Sequence, residues 1–335
     1  MHFFLTGHTG FKGSWLTLML SELGHTVSGF SLDVPADGLF ERGNLTDLLQ
    51  RDYRGDVRDE ASLRKAIDES KADVCIHLAA QALVLRSYKD PHETFTTNVN
   101  GSLNFLKAVT AAGARTSLVI TSDKVYRDQG SRAYVESDPL GGADPYSASK
   151  SMADILTSSW SAMPETPQIL IARAGNVIGA FDSSENRLLP DVNKAIATSS
   201  PLIIRNGSMV RPWQHVLDCL NGYLMYVNAG SSGQAGLPTE LNFGPDISKI
   251  HTAQEVVDKA KEMVSFELFT AGSAGETPKE TATLLLDSSK ARRTLGWQDK
   301  IDFSEAVFLS INPASKGSVR KQARKQVQDY LAILP

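Results

Sequence analysis

Residues 3–13 read FFLTGHTGFKG, an apolar run that gives way to glycines at 7, 10 and 13. FFLT has the composition of a short strand. GSWLTLMLSELG at 13–24 then puts Trp15, Leu16, Met19, Leu20 and Leu23 on one helical face before Gly24 stops it. Strand, glycine turn and helix in that order open a βαβ unit. Glycine there permits a tight turn, lets backbone approach a pyrophosphate at the helix N-terminus, and lets helix pack close to strand. The spacing is G-x-x-G-x-x-G rather than the commoner G-x-G-x-x-G, and a bare glycine triplet can be turn chemistry and nothing more. Its position between strand and helix favours a dinucleotide site made of Gly7, Thr9, Gly10, Phe11 and Gly13.

The alternation continues outward. TVSGFSL (26–32) is a second strand, GDV (55–57) a short third, EASLRKAIDES (60–70) a helix and DVCIHLA (73–79) a strand. A long helix is expected over 91–113 with Pro91 at its start, then the strand SLVIT, a loop, the helix PYSASKSMADILTSSW (145–160) and the strand QILIARAG (168–175). Short apolar runs alternating with helices predict an α/β fold, a doubly wound parallel Rossmann-type sheet. From residue 181 glycine, proline and asparagine become denser, which predicts a smaller α/β substrate-binding lobe over 181–335. Residues 1–180 form the dinucleotide-binding domain, and LNGYLMYVNAG and ELNFG, within 216–246, return to it as helix and strand.

The 335 residues carry a formal net charge of −4. That mild acidity speaks against a nucleic-acid or anionic-membrane partner. No segment approaches the ~20 apolar residues of a membrane span. The opening run is too short and too soon followed by glycines to be a secretory signal, so a cytoplasmic protein is expected. Cys75 and Cys219 are far apart and read as buried free thiols. Seven dispersed histidines show no metal-ligand spacing, so no metal is expected. His77 and His215 read as structural, and KGSVRKQARKQ (316–326) as a solvated terminal helix.

Two further stretches carry chemistry. YSASK puts Tyr146 and Lys150 four apart, on one face of a helix. A neighbouring ammonium can lower a tyrosine's pKa from its usual ~10, so Tyr146 is a candidate proton acceptor and Lys150 its partner. TSDKVY (121–126) sets Asp123 beside Lys124 where a strand runs out, either as a surface ion pair or as chemistry at the carboxyl edge of a sheet. After the second strand, Ser31 or Asp33 would meet the adenosine ribose. No arginine follows them directly, which favours NAD over NADP. Asp56 and Val57 would lie near the adenine edge.

The strings TGHTGFKG, HLAAQ, TNVNGS, YSASK and RAGNVIG resemble, in that order, the extended short-chain dehydrogenase/reductases, and the likeness runs through LLLDSSKARRTLGW near residue 297. Within them, GHTGFKGSWL, TSDKVY, DPLGGADPYSASK, RLLPD, RPWQHV and NFGP are similar to the CDP-glucose 4,6-dehydratases. The resemblance implies NAD as cofactor, with Leu78, Ala79, Ala80 and Asn98 also facing it, and a CDP-sugar as substrate. It implies an internal redox cycle in which Tyr146 takes the C4 hydroxyl proton, Ser122 holds the sugar, Asp123 acts as acid and Lys124 as the C5 base. An acid and a base of inverted protonation need displaced pKa values, and Lys150 is expected to help keep Lys124 neutral. Asn176, Arg187, Arg205 and Arg211 are expected on the diphosphate. A homodimer through a four-helix bundle is implied as well. The stretch AFDSSENRLLPD and the segment SINPAS depart from the family pattern. Both fall in the substrate lobe, so they bear on nucleotide and sugar more than on the redox core.

Overall fold

The computed structural model describes residues 1–204, 206–270, 283–311 and 318–335. Seven parallel strands form the main sheet: β1 (His2–Thr6), β2 (Thr26–Ser31), β3 (Arg51–Arg54), β4 (Val74–His77), β5 (Thr116–Ile120), β6 (Gln168–Ala174) and β7 (Glu240–Phe243). Their spatial order is β3-β2-β1-β4-β5-β6-β7, so the chain reverses its direction of travel between β1 and β4. Ligands of open α/β sheets sit at such a switch point, outside the carboxyl ends of the strands.

Helices cover both faces, among them α1 (Phe11–Glu22), α2 (Glu60–Ser70), α3 (Gly101–Ala112), α4 (Pro145–Ser161), α5 (Val216–Ser231) and α6 (Val319–Ala332). Trp15, Leu16, Leu220, Tyr223, Val327 and Tyr330 belong to one core on the face of α1, α5 and α6; Leu63, Ile67, Phe105 and Val109 form the other, under α2 and α3. Helix α5 and strand β7, from the second half of the chain, thus complete the first sheet. The remainder is a lobe of small pieces. Val210–Arg211 pairs with His251–Thr252, Leu202–Ile204 pairs with Leu268–Thr270, and helices Leu188–Thr198, Ala253–Lys261 and Phe303–Ser310 pack around them.

Four features differ from the sequence expectation. The third strand is RDYR (51–54), and GDV is the loop that follows it; an edge strand with polar residues on both faces lacks the apolar run by which strands are read. Helix α1 is buried all round from Gly13 to Leu20, while Leu23 is exposed, because the outer face is covered by α6. The expected solvated terminal helix is therefore a packing element, burying Ala323, Val327 and Tyr330. The helix expected over 91–113 contains a π-helical turn at Thr96–Asn100, a local widening often met near functional sites.

Candidate active site

The glycine loop closes tightly on its own backbone. Gly7 has φ +73° and donates its N–H to Phe30 O at 2.8 Å. A Cβ at Gly13 would lie 2.2 Å from Gly7 O, and one at Gly7 would lie 2.8 Å from Ala79 N. Helix α1 starts at Gly10 with no side-chain cap, which leaves its first-turn N–H groups to an anionic ligand. The loop therefore fits a dinucleotide pyrophosphate.

The other expected cofactor residues surround this crevice. Phe11 packs against Gly179. Thr9 Oγ1 and Ser31 Oγ are 2.8 Å apart, which places Ser31, not the exposed Asp33, at the inward position after β2. Leu78 N donates to Thr6 O at 3.1 Å and Ala79 N to Thr6 Oγ1 at 3.2 Å, with Ala80 following, half-buried. Asp56 is clasped by Arg58, whose bonds hold the carboxyl below its usual range although burial opposes them, and Val57 O accepts from Asn104. Asn98 is committed to protein partners: its Oδ1 accepts from Gln81 N at 2.8 Å and its Nδ2 donates to Gln81 O and Ser149 Oγ. It thus supports the crevice by joining the β4 loop to α4.

Beyond β5 the chain places Ser122, Asp123 and Lys124 in a short turn facing α4. Asp123 is 2 % exposed and accepts from Ser122 Oγ at 3.0 Å on one oxygen. Its other oxygen has no hydrogen-bond partner among the described residues. Burial pushes its pKa up, against the pull of Lys124, Ser122, Arg211 and Lys12. A Cβ at Gly175, in the RAGNVIG stretch, would stand 2.3 Å from Pro212 and 3.0 Å from Asp123 Oδ2, so a glycine is needed for that approach. Lys124 is half-buried beside them.

Tyr146 and Lys150 are both buried on α4. Contrary to the sequence expectation, the phenol is pushed up by burial, with the Ser122 hydroxyl and Arg187 pulling it down. Lys150 Nζ donates to Ile120 O at 2.9 Å, and burial followed by the charge of Lys12 brings its pKa down to about 8. Lys12 was not anticipated. It reaches from the start of α1 to Tyr223 Oη at 3.1 Å, close enough to Lys150 and Asp123 to influence both. A lysine inside a glycine loop otherwise flanked by apolar residues was the available signal.

A second unanticipated group fixes the Asp-Lys segment at both ends. Thr121, before it, donates to Asp154 Oδ2 at 2.9 Å; Arg173 binds both oxygens of Asp154 at 2.9 and 2.7 Å and donates to the hydroxyl of Tyr126, after it, at 3.0 Å. The ion pair is fully enclosed, and removing one partner of such a pair typically costs about 3–5 kcal/mol.

On the lobe side, Arg211 is buried and lines a small surface depression with Pro212, Pro245, Ile247, Lys249 and Leu286. Arg187 lies 3.5 Å from Asp182 and close enough to Tyr146 to influence it. Asn176 is half-buried, with its carbonyl accepting from Gln214 N at 3.2 Å. Arg205 lies outside the described residues. Among the described residues no cluster of His, Cys, Asp or Glu is disposed to hold a metal, and no helix is long and apolar enough to cross a membrane.

A parallel sheet of this order, a glycine-loop crevice at its switch point and a tyrosine–lysine helix beside β5 define an extended short-chain dehydrogenase/reductase. The family profile of GDP-mannose 4,6 dehydratase matches residues 4–308, and the chain belongs to that family. The chain is 39% identical to CDP-glucose 4,6-dehydratase of Salmonella typhimurium, covering 98% of this chain and 96% of that one. It is 30% identical to UDP-glucose 4-epimerase of Neisseria meningitidis serogroup B, covering 92% and 97%. Among solved structures it is similar to dTDP-glucose 4,6-dehydratase from Bacillus anthracis in complex with NAD, with a TM-score of 0.78 at 21% identity over 98% of this chain and 99% of that chain.

Proposed function

We propose that this dehydratase-family chain converts CDP-glucose to CDP-4-keto-6-deoxyglucose, with loss of one water and no net redox change. The observation that carries this reading is the Asp123-Lys124 pair at the end of β5, beside Tyr146: a C4 epimerase needs the tyrosine and lysine but no acid–base pair for elimination. The relative at 39% identity supports CDP-glucose as the substrate.

NAD fits the glycine-loop crevice and, when bound there, supplies a two-electron store that is refilled within each turnover. The chain's own residues handle protons. Tyr146, as the phenolate that the cationic Lys150 and Arg187 would stabilise, takes the C4 hydroxyl proton and becomes the neutral phenol. A ketone at C4 acidifies the C5 proton, which Lys124 removes. Asp123, whose pKa burial raises, donates its proton to the C6 hydroxyl, which leaves as water. Lys124 then returns a proton to C5. Arg187, Arg205, Arg211 and Asn176 bind the diphosphate, with guanidinium forks suited to its oxygens.

The working form we assign is a soluble, cytoplasmic homodimer. On α4, Met152 and Ile155 are 47% and 54% exposed, an apolar strip that a second copy's α3 and α4 would cover in a four-helix bundle. Light scattering across micromolar concentrations should report twice the chain mass.

Incubation with CDP-, dTDP-, UDP- and GDP-glucose and NAD tests the main reading. A 4-keto-6-deoxy product from CDP-glucose is expected, without steady accumulation of reduced cofactor. Interconversion of C4 epimers with the C6 hydroxyl retained would replace it with an epimerase reading.

A further inference from the structure

Where a carboxylate commonly meets the adenosine ribose, this chain has Ser31, and its hydroxyl is already engaged by Thr9. The next carboxylate along, Asp33, is exposed. The register of β2 and β3 supplies what the sequence order conceals. Ser31 pairs with Arg54 and Gly29 with Asp52, so Arg54 and Asp52 stand on the same face of the sheet as Ser31, above the glycine loop. Arg54 donates to Leu32 O at 3.1 Å and to Asp52 Oδ2 at 2.5 Å, with its guanidinium over the Phe40 ring. A guanidinium at that position, with its fork available, is what a ribose 2′-phosphate would seek. The other oxygen of Asp52 lies 3.0 Å from Nε2 of the fully buried His8, a residue of the glycine loop itself.

We infer that Asp52, on the third strand, sets the choice between a 2′-hydroxyl and a 2′-phosphate on the adenosine ribose by holding Arg54. The inference rests on the reading of the glycine loop as a dinucleotide site. Asp52 acts in two ways. It ties up part of the guanidinium fork, and it puts a negative charge where a second anion would have to enter. Burial opposes that charge, but the bonds from His8 and Arg54 win and keep the carboxyl below its usual range, ionised at neutral pH. The discrimination made elsewhere by a carboxylate at the end of the second strand is here made one strand further out, by a carboxylate that faces an arginine instead of the ribose. Being anchored to His8, that carboxylate is also fixed relative to the phosphate-binding loop.

Calorimetric titration of NAD, NADP and adenosine 2′,5′-bisphosphate into the full chain tests this without reference to turnover. The wild type should bind NAD more tightly than NADP. In Asp52→Asn and Asp52→Ser, the ratio of NADP to NAD affinity should rise by about tenfold to a hundredfold, the range of a charge-assisted hydrogen bond gained. The gain should vanish in Asp52→Asn/Arg54→Ala, which has no fork to release. An unchanged ratio in both Asp52 variants, with NAD binding retained, overturns the inference and leaves the dinucleotide site standing. Failure of the wild type to bind any of the three ligands overturns both.

Discussion

The glycine loop and the arginine-bearing lobe are fixed by different means. In the loop, shape comes from backbone, since a single added methyl at Gly13 would stand 2.2 Å from a carbonyl oxygen. In the lobe, position comes from side chains: Arg211 sits on the ribbon paired with His251–Thr252, and Arg187, just before the helix Leu188–Thr198, is 38% exposed with Asp182 at 3.5 Å. The first arrangement has no softer variant, whereas the second can be retuned residue by residue. On the proposed reading, that division puts cofactor handling on the rigid side and substrate choice on the adjustable one.

The contrast can be broken most sharply at Gly13. Gly13→Ala should abolish NAD binding by calorimetry and lower unfolding stability by about 1–3 kcal/mol in denaturant melts, as overpacking does. Retained NAD affinity would mean that the loop yields more readily than its contacts imply.

At the end of β5, Lys124→Ala should lower dehydration by ~10²–10⁴-fold, with C5 proton exchange into solvent lost in proportion. A surface ion pair worth ~0–1 kcal/mol would leave both near normal. The pH profile adds the partner's signature. On the proposed reading Asp123 is the acid, and burial raises its pKa, so elimination should weaken as its carboxyl ionises with rising pH. Asp123→Asn should be slow throughout and lack this limb.

The smallest effects belong to the lobe. Arg211→Ala, which removes a buried cation from the wall of that depression, should raise KM for CDP-glucose about tenfold to a hundredfold; Arg187→Ala, at the rim, should raise it less. Equal effects from the two would erase the gradient from fixed to adjustable. A drop in kcat with KM unchanged for Arg187→Ala would leave that side chain only its role beside Tyr146 and remove it from the phosphate site.

This gradient also explains what could be read from the letters. The glycine loop, the Tyr146–Lys150 helix and the Asp123-Lys124 turn are local, each held in a few consecutive residues, and so were visible. The strand RDYR was not, because an edge strand needs no apolar run. The meeting of Ser31 with Arg54 was hidden for another reason: strand register alone brings these distant residues together. Arg173, which braces the Asp123-Lys124 segment through Asp154, left a faint mark as a charged residue inside ILIARAG. A buried charge in an apolar strand asks for a partner, but the sequence does not say which. The phenol of Tyr146 was expected to be lowered by its lysine; burial, which depends on everything packed around it, decided otherwise.

The covering of α1 by α6 has a consequence for biosynthesis. Trp15 and Leu16 share a core with Val327 and Tyr330, and Arg324 grips Glu22 at 2.7 Å. Roughly 300 residues separate the two helices, so at ~5–20 residues per second the first one leaves the ribosome on the order of 15–60 s before its cover. During that interval an apolar helix meant for the interior has one side open to solvent, a surface a holdase chaperone could occupy. Nascent chains arrested at residue 311 should therefore be cut within α1 by a protease that spares it once residues 318–335 have emerged.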